Sequence, residues 1–111
     1  MTYKVFSKLY DEALEYNDID LYISERGWQD WMDDYAAEDG DVTKITNILT
    51  NIYDMSDMDI GHIRDKTGLS INKFASLYNI PPRTLQDWIY NKNRTPDYVK
   101  KLIAYTLITE L

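Results

Sequence analysis

The sequence contains no cysteine and a single histidine, His62, in 111 residues. Disulfides and thiolate metal sites are therefore excluded, and a zinc site would need carboxylates gathered around one imidazole. No apolar run approaches the roughly 18–20 residues that a membrane-spanning helix needs. No basic-then-apolar leader opens the chain, so a soluble protein of the reducing cytoplasm is expected. Strand-like alternation is scarce. The Asp39-Gly40-Asp41 segment has helical periodicity on both sides and reads as a helix break, not a hairpin. Internal repeats and low-complexity segments are also missing. No Ser-His-Asp set, phosphate loop or carboxylate pair at a fixed spacing stands out, so no enzymatic activity is expected. Asp18-Ile19-Asp20 and Asp57-Met58-Asp59 echo the first ligands of a calcium loop, but neither is followed by the required glycine and closing glutamate. No metal and no cofactor is expected.

What the chain does have is apolar residues, 44 % of the total, with ten tyrosines and three tryptophans to enlarge a core. It also has charge in an uneven arrangement. Residues 1–60 hold four basic and fifteen acidic side chains, a net of −11. Residues 61–111 hold eight basic and four acidic ones, a net of +4, and the two halves together give −7. A break of this size points to two surfaces with different partners, or to acidic residues that only solvate the outer faces of N-terminal helices.

The apolar spacing predicts helices throughout. Val5, Phe6, Leu9, Ala13 and Tyr16 mark a first one, ending near Asn17–Asp18. Asp18 or Asp20 caps a short second one that Gly27 stops. Trp28, Trp31, Met32 and Tyr35 form a stripe for a third, with Asp30, Asp33, Asp34 and Glu38 largely off it. Val42, Ile45, Ile48, Leu49 and Ile52 define a fourth. The polar run Tyr53–Asp59 is the expected boundary between an acidic helical region, 1–56, and a second unit, 57–111. Ile60–Lys66 is helical and ends at Gly68. Thr95-Pro96 opens a last helix, with Val99, Leu102, Ile103, Thr106 and Leu107 inward.

Between these lies the stretch Leu69–Pro96. Ser70 caps a helix that carries Phe74, Ala75 and Leu77. A break falls at Asn79–Ile80, and a second helix opens on a proline with Leu85, Trp88 and Ile89 inward. Leu69–Ser70, Phe74–Ala75, Ile80, Thr84–Leu85, Trp88, the basic loop and Pro96 together resemble the lambda-repressor-like (XRE-type) helix-turn-helix family over residues 60–108. Periodicity over the whole chain, with this resemblance in its second half, gives the expected fold: an all-α, compact helical domain with a C-terminal lambda-repressor-like helix-turn-helix and acidic N-terminal helices. The resemblance implies a small sequence-specific DNA-binding transcription regulator of bacterial or mobile-element type, with its recognition helix over about 82–90. In that family the second helix enters the major groove of double-stranded DNA. The residues so implicated are Pro82, Arg83, Gln86 and Asp87 at base edges, with Arg83 suited to guanine and Gln86 to adenine. Thr84 either contacts phosphate or packs. Lys92, Asn93 and Arg94 form the loop where phosphate contacts fall. Two positions depart from the family pattern. Pro81-Pro82 stands where a small polar cap is usual, and Ile89-Tyr90-Asn91 replaces the usual Glu-Asn-Gly, with Asn91 taking the left-handed turn.

Two partner readings accompany this one. Leu102, Ile103, Leu107 and Ile108 on the last helix would form a homodimer surface, or would pack as core. Trp28 and Trp31, beside Asp30, Asp33 and Asp34, would form an aromatic and acidic docking face for a protein, or would be core. If that face is exposed, the rival function is an acidic inhibitor acting through residues 1–60: a DNA mimic, anti-defence protein or antitoxin that keeps the helix-turn-helix for autoregulation.

Overall fold

The computed structural model describes residues 1–27 and 42–110. The expected third helix, and with it Trp28, Asp30, Trp31, Asp33 and Asp34, lies outside the described residues. Among the described residues the fold is all-helical and contains no strand. The helices are α1 (Tyr3–Ala13), α2 (Ile19–Arg26), α3 (Val42–Asp57), α4 (Ile60–Thr67), α5 (Ile71–Leu77), α6 (Pro82–Ile89) and α7 (Asp97–Glu110).

Short polar side chains start most of these helices where the sequence places them. The side chains of Thr2, Asp18, Asp59 and Ser70 accept hydrogen bonds from the amides of Val5, Asp20, His62 and Lys73. Each thereby satisfies one of the free donors that a helix N-terminus leaves. Gly68 ends α4 in the left-handed region at φ 71°. Asparagine takes that role for the next two helices, with Asn79 at φ 55° after α5 and Asn91 at φ 60° after α6. Both turns close in the same way. Ile80 N–H donates to the Ala75 carbonyl and Asn79 N–H to that of Ser76. Lys92 N–H donates to the Asp87 carbonyl and Asn91 N–H to that of Trp88. These paired bonds reverse the chain within two residues and satisfy the last carbonyls of each helix.

The buried side chains form two clusters. In the first, Phe6, Leu9, Tyr10 and Ala13 of α1 and Tyr22 of α2 pack on Ile45, Leu49, Ile52 and Met55 of α3 and on Ala104 of α7. In the second, Ile60 and Ile63 of α4, Phe74 and Ala75 of α5 and Leu85 of α6 pack on Ile103 of α7. The last helix therefore belongs to both, and its Leu107 packs against each. Polar contacts reinforce the same joint. Lys100 Nζ donates to the Ser56 carbonyl at 3.0 Å, and Lys101 Nζ pairs with Asp11 at 2.8 Å. The Tyr78 and Thr106 hydroxyls share a hydrogen bond of 2.8 Å.

The polar run from Tyr53 is helical as far as Asp57, with Met55 and Ser56 buried, and Met58 and Asp59 separate α3 from α4. Two expectations are corrected. Helix α1 stops at Ala13, short of Tyr16, whose ring instead meets that of Tyr22 edge-on at 5.6 Å. Leu102 points outward and Ala104 inward, because apolar residues occupy most of the circumference of α7 and periodicity alone cannot choose its buried side.

Asn79 is exposed, so substitutions there act on the backbone alone. Asn79→Val, which places a β-branched residue at positive φ, should destabilise the protein by about 1–2 kcal/mol, whereas Asn79→Gly should be neutral or mildly stabilising. Urea unfolding of the two variants checks this. Tyr22→Phe should cost about 0.5–1.5 kcal/mol in the same assay, since its buried hydroxyl donates to the Leu9 carbonyl at 2.9 Å and that bond would be lost.

Candidate nucleic-acid interface

Helices α5 and α6 meet at the corner Tyr78–Pro81, and their orientation follows from the one residue of α6 that is fully buried, Leu85. At 3.6 residues per turn, Arg83, Asp87 and Tyr90 fall on the side opposite Leu85, with Gln86 beside them. Arg83 and Tyr90 are exposed and Gln86 is half-buried. Thr84 and Trp88 fall on the flank nearer α7, where both are half-buried and line a groove beside it. Pro82 sits exposed at the first turn.

The opening of α6 is poor in donors. Pro81 makes no side-chain cap, and neither Pro81 nor Pro82 carries an N–H. Leu85 N–H already donates to the Pro81 carbonyl, leaving the amides of Arg83 and Thr84 as the helix's free N-terminal donors. Cationic side chains must supply most of the attraction for an anion here. Arg83 is one, 80 % exposed, with its Nε 3.5 Å from Asp87 Oδ1 one turn along. That carboxylate offsets part of the Arg83 charge and holds the guanidinium over the outer face of the helix.

The other cations come from the loop after α6. The Asp87 carbonyl accepts from both Lys92 N–H, at 2.8 Å, and Asn93 N–H, at 3.2 Å. The loop is thus folded back onto the end of α6, and Lys92, Asn93 and Arg94 are all exposed on it. Arg94 Nη2 lies 3.1 Å from Asp97 Oδ1. Both side chains are more than 80 % exposed, so solvent screens the pair and the guanidinium can exchange partners readily. Behind the loop is a cleft of about 400 Å³ lined by Trp88, Lys92, Arg94, Asp59 and Lys100. Burial lowers the Lys100 pKa, against the opposing pull of Asp97, Asp57 and Asp59.

The structure brings Arg83, Gln86 and Asp87 together on one helical face and joins Lys92, Asn93 and Arg94 to its end. Tyr90 completes that face and was not anticipated, although it stands seven residues after Arg83 and four after Gln86, a spacing visible in the sequence. Lys100 has no such signal, since its proximity depends on how α7 crosses α3. Of the apolar residues expected on a dimer surface, Ile103 is buried in the core and Leu107 and Ile108 are half-buried against it. Leu102 alone is well exposed.

Beside this region, at the start of α4, His62 Nδ1 lies 2.7 Å from Asp59 Oδ1. Hydrogen bonding to Asp59, and then its charge, raise the His62 pKa. The His62 amide and ring bonds lower that of Asp59. The His62 contribution to stability is complete below its ordinary value of 6.5 and is lost as pH rises through the higher folded value. The Asp59 contribution is present above its ordinary 3.8 and is lost as pH falls through the lower folded value. Both operate together between these ordinary values. An NMR titration of the His62 ring should therefore give a pKa above 6.5 that Asp59→Asn returns towards 6.5.

No protein-family model, curated protein or solved structure matches this chain.

Proposed function

We propose that the protein is a small sequence-specific DNA-binding regulator of the helix-turn-helix type, acting in transcription on a bacterial chromosome or a mobile element. The observation that carries this reading is the outer face of α6. A buried Leu85 directs Arg83, Gln86 and Tyr90 away from the core, and a loop pinned to the same helix end presents Lys92, Asn93 and Arg94. Arg83 and Gln86 carry the donor patterns that read guanine and adenine in the major groove. Lys92 and Arg94 suit phosphate, which fixes the position of a helix on a duplex without reading sequence.

The charge distribution sets the conditions. With a net of −11 over residues 1–60, that half is held away from the duplex, and α6 approaches with the basic half leading. Few phosphates are neutralised, so affinity is modest and falls steeply with salt. Arg83 is 80 % exposed and its contact with Asp87 is 3.5 Å long, so solvent screens the pair and the guanidinium is free to turn to a guanine edge that accepts both of its donors.

Fluorescence anisotropy on the duplex upstream of the protein's own gene, with a scrambled duplex as control, tests the reading at low and near-physiological salt. Arg83→Ala and Gln86→Ala should each cost about 1–3 kcal/mol on the specific duplex and little on the control. Lys92→Ala should weaken both equally and reduce the salt slope by about one. Equal affinity of the unmodified protein for both duplexes would overturn the assignment.

A further inference from the structure

The exposed face of α6 ends on Tyr90, whose side chain is 66 % exposed and makes no hydrogen bond, ring contact or ion pair among the described residues. Its backbone, in contrast, is fixed. Tyr90 N–H donates to the Gln86 carbonyl at 2.9 Å, so the residue closes the last turn of the helix. A phenol ring has only two side-chain torsions, and on a rigid turn it presents a large contact surface at low conformational cost.

Its place along the helix indicates what it meets. Seven residues at about 100° each bring Tyr90 within roughly 20° of Arg83 around the helix and about 10 Å further along it. The two therefore share one line on the exposed face. A helix that enters the major groove by its N-terminal residues puts Arg83 at the bases and the far end of that line at the sugar–phosphate edge. The basic loop stands at the same end, because the Asp87 carbonyl holds the amides of Lys92 and Asn93. Tyr90 thus lies between the side chains suited to bases and those suited to phosphate. Its chemistry differs from both. A hydroxyl donates to a phosphate oxygen without carrying charge, so it displaces no condensed counterion when it does. In a chain of net charge −7, such a donor adds attraction to a phosphate that salt does not remove.

We propose that the Tyr90 hydroxyl anchors a phosphate of the duplex, positioning α6 on one strand beside Lys92 and supplying a salt-insensitive part of the affinity. The proposal rests on the DNA-binding reading and adds to it an uncharged backbone contact that takes no part in choosing bases.

The test is fluorescence anisotropy with Tyr90→Phe, which removes only the hydroxyl, on the upstream duplex and the scrambled one over a range of salt. Affinity should fall roughly tenfold on both, the worth of a hydrogen bond to a charged acceptor, with the salt slope unchanged. Lys92→Ala serves as the contrast, since it lowers the slope. A second series places one methylphosphonate at a time in the upstream duplex, which replaces a charged phosphate oxygen by methyl. At one position the unmodified protein should lose affinity and Tyr90→Phe should lose nothing further. Circular dichroism and urea unfolding should be the same for both proteins, because the ring is exposed. Unchanged affinity of Tyr90→Phe, a loss confined to the upstream duplex, or a lowered salt slope would overturn the proposal. So would a methylphosphonate series in which no position distinguishes the two proteins. If the unmodified protein binds both duplexes equally, the sequence-reading assignment fails and Tyr90→Phe alone decides the phosphate contact. If it binds neither, both fail.

Discussion

Everything in this fold depends on how α7 divides its side chains. Consecutive residues on a helix point about 100° apart, so one helix can face two cores at once if its neighbours in sequence are both apolar. Ile103 and Ala104 use this geometry: the isoleucine enters the cluster of α4, α5 and α6, and the alanine the cluster of α1, α2 and α3. Their difference in size has a physical reason. Ala104 is fully buried within the first cluster, where the rings of Phe6 and Tyr105 meet at a tilt with centroids 5.3 Å apart, and close packing there suits a small side chain. Lys100 and Lys101 then close the joint from the outside, both lying within 6 Å of the Tyr10 ring. Burial, with Asp97 and Asp11 close by, pushes the Tyr10 phenol up to about 12, so it remains neutral beside them at ordinary pH.

The parts of this architecture that could be read from the sequence are those governed by local chemistry. Asp18, Ser70, Gly68 and Asn91 act as caps and turns because their effects reach only three or four residues. Phe74, Ala75 and Leu85 lie where their spacing puts them. What escaped was set by distant packing. Tyr22 is fully buried in a helix whose other residues are largely polar or exposed, so no apolar stripe announced it. The run after Tyr53 is polar in composition, yet it is helical to Asp57, with Met55 buried in the first core and the Ser56 carbonyl accepting from a lysine 44 positions away. Leu102 and Ala104 could not be sorted by pattern, and hydrophobicity favoured the wrong one.

The candidate site shows the same division. Arg83, Gln86 and Asp87 follow from helical spacing once Leu85 is identified as the anchor. The partial neutralisation of Arg83 by Asp87 also follows from their separation of four residues. The second role of Asp87 does not, since it belongs to the backbone. Its carbonyl gathers the amides of Lys92 and Asn93 and so fixes where the basic loop stands relative to the helix face. One residue thereby moderates a charge through its side chain and positions two exposed loop residues through its main chain.

The division of α7 between two cores also bears on how such a chain can change over evolutionary time. A helix pair that folds on its own can be passed between proteins as a cassette, whereas this one leaves its closing helix with an apolar side facing a different core. Ala104 shares one core with Phe6 and Leu49, and its neighbour Ile103 shares the other with Leu85, which anchors the helix presenting Arg83. Substitutions in the acidic half and in the basic half are then selected together, as parts of one inherited unit.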